Sequence, residues 1–318
     1  MTKEELNTIK EEVETLNNKL KELTEDELKH PLLFIVGLVA LMIIVEVILS
    51  VTNPVAKYNV FVKNDYEKIV AQYSDDTFDK AIYGNSAVIA SFIDTQSKSG
   101  YTNIGIDYGT IEDLYAMLDQ GLLNVESDLV IGLNYFTLMD TLDTNPTYPW
   151  HKKFYEPYLY FNRDRINPVI TEGIKNVLNG DKFVSKRYES LDRTVYRGSL
   201  NAEELSEREA VHEKLYWNLG IEHFDDNLKA LEKLAEFAED NNIRLRCILL
   251  PWNDVIEKPS SALLAENGAL EILNAHSVEV LDLSYTMPSE YFHDLGHLNY
   301  EQGAVKFTEE IDEWLMEN

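Results

Sequence analysis

Ile82-Tyr83-Gly84-Asn85-Ser86-Ala87-Val88-Ile89-Ala90 is the stretch that decides how the chain is read. A β-prone apolar pair meets a small Gly-Asn-Ser turn, and a helix-compatible apolar run follows at once. This is a strand-to-helix corner. A serine there presents its hydroxyl beside the unpaired N–H groups of a helix start, where fixed backbone donors meet developing negative charge. Small turns before helices are also ordinary caps, so the corner alone specifies no chemistry. Asp294-Leu295-Gly296-His297, far along the chain, gives it weight.

Around this corner strand and helix alternate. Residues 80–83 read as a first strand, 87–95 as helix, 101–106 as strand, 111–120 as helix and 128–133 as strand. After residue 220 the rhythm resumes with helix 225–241, strand 244–250, helix 262–274, strand 278–283 and helix 300–314. Such alternation predicts an α/β fold, a parallel sheet with helices on both faces. Residues 135–220 break it. They hold no strand series but many aromatics and prolines, densest over 148–161, and read as an insertion. Trp150, Tyr155, Tyr158 and Tyr160 suit sugar stacking or protein docking; the plainer alternative is a satellite core.

The N-terminal part differs. Leu6, Ile9, Val13, Leu16, Leu20 and Leu23 recur at alternating spacings of three and four, a heptad seam over residues 1–30. It predicts an amphipathic or coiled-coil helix open to self-association. Residues 31–51 then form an apolar run whose one charge is Glu46, long enough for roughly 30 Å of hydrocarbon. Lys19, Lys21 and Lys29 precede it, against Lys57 and Lys63 after it. That bias predicts a single-pass plasma-membrane protein with its N-terminus cytoplasmic and residues 55–318 extracytoplasmic.

Of the formal charge of -28 over 318 residues, -4 falls in residues 1–30 and -1 on Glu46, leaving -23 beyond the span. This balance disfavours nucleic acid, an anionic membrane surface and other polyanions as partners. The single Cys247 permits no intrachain disulfide and reads as a buried small hydrophobe. There is no Gly-rich phosphate loop and no Cys/His metal pattern, so neither cofactor nor metal is expected.

Ligands of open parallel sheets gather at the carboxyl ends of the strands, and the polar residues of interest fall there. Ser86 follows the first strand, Gly109 (or its rival Gly105) the second, Asn134 the third, and Asp294 and His297 the last. A histidine that takes the serine proton makes a nucleophile, and a carboxylate three residues earlier can hold its tautomer. The N–H of Gly109 and the Asn134 amide are then oxyanion donors.

Gly84-Asn85-Ser86, the Gly of the second block, Gly132-Leu133-Asn134 and Asp294-Leu295-Gly296-His297 resemble the four ordered blocks of the SGNH hydrolase superfamily. The resemblance covers 80–134 and 244–318. It implies a three-layer α/β/α, flavodoxin-like sheet, with Ser86, His297 and Asp294 as triad. Asn85 stands where the family has an acidic residue. One span before such a domain is similar to the membrane-anchored branch, which includes the D-alanyl-transfer protein of teichoic-acid modification and the accessory proteins of polysaccharide O-acetylation. That similarity implies an acyltransferase acting on a cell-surface glycan, with a multispanning membrane acyltransferase as partner. The alternatives are a tethered carbohydrate or lipid esterase with the same triad, and an inactive scaffold that binds glycan or a membrane partner.

Overall fold

The structure, a computed structural model, describes residues 3–22, 25–52, 64–73, 76–142, 144–145, 148–151, 166–183 and 193–317. The chain divides into two compact units, 1–60 with 153–185, and 61–152 with 186–318. Residues 153–185, from the expected insertion, thus group with the N-terminal region.

The first unit is helical in its described part. Helix α1 spans Lys3–Glu22 and α2 spans Glu25–Thr52. The heptad residues Ile9, Val13 and Leu16 are exposed on α1; Leu23 lies outside the described residues. Within α2, His30–Thr52 is a 23-residue apolar stretch long enough to cross a membrane, and its side chains are almost all exposed. Glu46 accepts a hydrogen bond from Ser50 Oγ at 3.4 Å, one helical turn on. A further helix, Ile166–Leu178, belongs to this unit.

The second unit is the α/β domain. Its elements run from a helix at Asp65–Tyr73 through β1 (Thr77–Tyr83), α3 (Ser86–Ser91), β2 (Thr102–Asn103), α4 (Ile111–Asp119) and β3 (Asn124–Leu133). Further along come α5 (Ala202–His212), α6 (Asp225–Asp240), β4 (Arg244–Leu249), α7 (Ser260–Ala275), β5 (Glu279–Asp282) and α8 (Val305–Leu315). All five strands are parallel, in the order β2-β1-β3-β4-β5. This doubly wound order reverses direction between β1 and β3, where such folds open a crevice.

Consecutive strand residues face opposite layers. Ala81, Tyr83, Leu129, Ile131, Cys247 and Leu249 meet residues of α4, α6 and α7 in one core. Ile82, Val130 and Ile248 meet Ala87 and Val88 of α3 and Phe307, Ile311 and Leu315 of α8 in the other. Strands buried on both faces must be apolar throughout, which is why Leu129-Val130-Ile131 reads as an unbroken run. Cys247 is fully buried, as its surroundings predict, and burial pushes its thiol up.

Arg246 is a charged exception inside β4. Its guanidinium pairs with Asp128 on β3, with Nη2–Oδ2 at 3.0 Å, and contacts the Tyr101 hydroxyl. It also donates to the carbonyls of Trp314 at 3.1 Å and Leu315 at 3.4 Å, in the last turn of α8. A cation at a helix C-terminus is favourable, and every donor direction used here finds an acceptor.

The helix expected over 87–95 ends early, at Ser91, and two further elements differ in kind. The edge strand expected over 101–106 is regular only at Thr102–Asn103, because the Asn103 side chain captures Gly105 N–H at 3.1 Å. Pairing with the β1 edge continues irregularly through Ile104 N to Ile82 O and Ile106 N to Gly84 O. The closing helix begins as a π-helical turn at Tyr300–Ala304, since the Asn299 side chain accepts from both Gln302 and Gly303 N–H.

Candidate active site

Gly84 and Gly132 let the serine corner form. Each lies beneath Val88 of α3, and a Cβ on either would fall inside the Val88 side chain. The helix therefore settles directly on β1 and β3. Asn85 caps it, its Oδ1 accepting from Ala87 N at 3.0 Å. Ser86 is the first helical residue, so its N–H has no intrahelical acceptor, and its side chain is half-buried.

His297 comes from a loop between β5 and α8. Phe292 and Leu298 pair across that loop, and His293 N donates to His297 O at 2.7 Å. Inside it, Asp294 Oδ1 accepts from Gly296 N at 3.1 Å and His297 N at 2.9 Å. Asn253, in the loop after β4, donates through Nδ2 to Asp294 O at 3.1 Å. The aspartate is thus fixed before it meets the imidazole.

Three side chains expected from distant blocks come together. His297 Nδ1 lies 2.9 and 3.0 Å from the two carboxylate oxygens of Asp294, and His297 Nε2 lies 2.8 Å from Ser86 Oγ. A nitrogen facing two carboxylate oxygens carries the proton. Nε2 is then the acceptor, and Ser86 O–H donates to it. Burial pushes the Asp294 carboxyl up, but the hydrogen bonds and charge of His297, with Gly296 N–H, hold it well below the ordinary carboxylate range. It stays ionised, as an orienting carboxylate must.

Asn134 directly follows β3, and its side chain meets that of Asn85, the neighbour of Ser86. Its Oδ1 accepts from Asn85 Nδ2 at 3.0 Å and from Thr137 N at 3.1 Å. A backbone N–H can only donate, so this contact fixes the amide orientation, with Oδ1 as acceptor and Nδ2 as the donor end. The second block differs from expectation. Gly109 N–H donates to Ile106 O at 2.9 Å and Gly105 N–H to Asn103 Oδ1 at 3.1 Å, because the loop closes on itself. Neither is unpaired. Gly109 is required for packing instead, since a Cβ there would lie 2.6 Å from Tyr83 Oη. The neighbouring Tyr108 sits at φ 56°, a strained conformation for a bulky residue.

The aromatic segment is engaged internally where described. Trp150 Nε1 donates to Asp113 Oδ1 at 2.7 Å, and its ring stacks on buried Tyr148 at 4.6 Å and meets Tyr66 edge-on. Tyr155, Tyr158 and Tyr160 lie outside the described residues. His151 contacts Asp113, His276 contacts Glu239, and His293 Nδ1 faces the carbonyls of Arg197 and Gly198; all three are supports.

Three further residues carry no motif. Tyr196 lays its ring on His297, with centroids 4.1 Å apart at 31°. Asp107 is in electrostatic contact with His297, while burial and then Asp65 push its carboxyl up. His212, between Phe136 and Tyr216, is pushed down to about 4 by burial, with Asp294 opposing and Arg208 and His297 adding. Only proximity in the fold reveals these three. No protein-family model matches the chain, and no curated protein matches it either.

Proposed function

We propose that this chain is a membrane-anchored, extracytoplasmic serine acyltransferase of the SGNH type, which carries an acyl group on Ser86 to a hydroxyl of a cell-surface glycan. The observation that supports this is the continuous hydrogen-bond relay from Asp294 through His297 to Ser86 at the crevice of a doubly wound sheet.

The chemistry follows from the geometry. Nε2 takes the Ser86 proton as Oγ attacks the donor carbonyl carbon, and Asp294 stabilises the imidazolium. The Asn134 Nδ2 and Ser86 N–H donate to the oxyanion. Collapse expels the donor's leaving group, which receives the proton from Nε2 and leaves acyl-Ser86. An acceptor hydroxyl then gives its proton to Nε2 and attacks the acyl carbon, and Oγ departs with the returned proton. On this reading α2 keeps the domain beside a multispanning acyltransferase that supplies the acyl group, α1 faces the cytoplasm, and its exposed seam binds a second copy.

The formed relay weighs against an inactive scaffold. An esterase would use the same residues with water as second nucleophile, and the half-exposed Ser86 keeps that reading alive. The test compares wild-type and Ser86→Ala chains in cells and follows product partitioning by mass spectrometry. Transfer predicts loss of surface acylation in Ser86→Ala and a shift from free acid to acylated glycan as acceptor is added. Wild-type acylation by Ser86→Ala would remove the enzyme reading, and hydrolysis that no acceptor diverts would leave the esterase.

A further inference from the structure

Residues 193–200 run along the loop that carries His293 and His297, bonded to it at several points. Leu200 N donates to His293 O at 2.8 Å, Tyr300 N to Tyr196 O at 2.8 Å, and Ser199 Oγ to Phe292 O at 2.6 Å. His293 Nδ1 in turn lies 3.2 Å from Arg197 O and 3.0 Å from Gly198 O. At the other end the Arg193 guanidinium donates to the carbonyls of Asn103 and Gly105, in the loop after β2. These bonds set the Tyr196 ring over both histidines. Its centroid is 4.1 Å from that of His297, at 31°, and 5.2 Å from that of His293, at 32°.

Both nitrogens of His297 are engaged in the plane of the ring, Nδ1 by Asp294 and Nε2 by Ser86. That leaves its two faces, and Tyr196 lies against one of them, face towards face rather than edge-on. An aromatic face carries the negative part of the ring quadrupole and attracts a cation within about 6 Å of its centroid. We propose that Tyr196 is a positioning residue for acyl transfer, whose ring face holds the His297 imidazole in line with Asp294 and Ser86 and stabilises the imidazolium formed when Nε2 takes the serine proton. This rests on the Ser86 reading given above.

The contribution falls on the transition state. Before transfer the ring gives a neutral imidazole little beyond contact. As Oγ attacks the donor carbonyl carbon, its proton passes to Nε2 and a positive charge appears against the ring face. The charge disappears when Nε2 gives that proton to the leaving group. The acceptor hydroxyl repeats the cycle in the second half, and Tyr196 keeps its own phenolic proton throughout. An interaction that grows with the charge lowers the barrier without tightening substrate binding.

The experiment uses the full chain in detergent with para-nitrophenyl acetate as probe, and melting temperatures check that each variant folds. The imidazolium forms in both half-reactions, so kcat reports it whichever half is slower. Tyr196→Phe keeps the ring and should turn over at nearly the wild-type rate. Tyr196→pentafluorophenylalanine, introduced by stop-codon suppression, keeps the shape but inverts the quadrupole. It should lower kcat by about 3- to 30-fold, the range of a cation–π contact, with KM little changed. Tyr196→Leu should lose at least as much. Equal kcat for the Phe and pentafluorophenylalanine variants would overturn the proposal, as would a change confined to KM or a Phe variant as slow as Leu; in each case Ser86 stands. Wild-type turnover by Ser86→Ala, or no acyl-Ser86 by intact mass in the wild-type chain, would remove both readings.

Discussion

Asn85 Nδ2 donates to Asn134 Oδ1 at 3.0 Å, so the residue beside the serine determines which end of the Asn134 amide can donate. With Thr137 N on the same oxygen, the amide cannot turn over without losing two hydrogen bonds. This gives a physical reason for asparagine at position 85, since a carboxylate there has no proton to offer.

Asn85→Asp should therefore lower kcat/KM by about 10²–10³-fold, the usual loss for one oxyanion donor. Asp caps a helix as well as Asn, so thermal melting should barely move. Asn134→Ala should match it in activity. Full activity in both variants would show that this amide faces no developing charge.

Asp294→Asn presents a donor to His297 Nδ1 and favours the wrong tautomer. A fall in kcat of about 10³–10⁴-fold is expected, with substrate KM little changed. Steady-state kinetics of the variant give both quantities, and a fall confined to KM would contradict the orienting role.

His212 makes stability depend on pH. The unfolded imidazole titrates near 6.5, whereas the folded one is pushed down to about 4 by burial. Between these values the unfolded chain binds the proton and the folded chain does not, so stability falls as pH drops through this window. Above about 6.5 the group contributes no slope. His212→Phe should flatten the melting temperature between these limits relative to wild type; parallel curves would count against the assignment.

Gly132→Ala drives a methyl into Val88 and should cost about 1–3 kcal/mol by overpacking. Val88→Ala opens a cavity and costs a similar amount alone. Together they should cost clearly less than their sum, as expected for residues in contact. Denaturant titrations of the four proteins measure the coupling, and strict additivity would mean that the helix does not rest on Gly132.

Topology is testable because native Cys247 is fully buried and silent to an impermeant thiol reagent. Cysteines placed at the exposed Glu12 of α1 and Glu232 of α6 report the two sides. Glu232→Cys should label on intact cells, and Glu12→Cys only after permeabilisation. The reverse pattern would place the sheet domain in the cytoplasm.

Much of this architecture was legible because local patterns and tertiary burial agree. The five strands fall where apolar runs end in polar turns, and Ser86, Asp294 and His297 meet because all follow strands at one sheet edge. The oxyanion side was harder. Spacing singled out Gly109 and Gly105, but whether an N–H is free depends on loop closure, and both are paired. Trp150 looked like a platform because an aromatic-rich stretch has no period that separates stacking on a sugar from stacking on Tyr148. Tyr196 was invisible for a different reason: its stretch is held beside His297 by backbone hydrogen bonds, Tyr300 N to Tyr196 O and Leu200 N to His293 O, and these have no residue-type signature.

The contacts of Arg246 also bear on when the domain becomes competent during synthesis. Its charge is neutralised by Asp128 early in the order of translation, but its remaining donors wait for the carbonyls of Trp314 and Leu315. The layer containing α3 likewise waits for Phe307, Ile311 and Leu315. Ser86 emerges more than two hundred residues before His297 (|i−j| = 211), roughly ten seconds or more at ordinary translation rates. Throughout that interval the nascent chain carries a serine without its base and a sheet with one face uncovered. The Ser86–His297 contact therefore cannot form until the last part of the fold has closed.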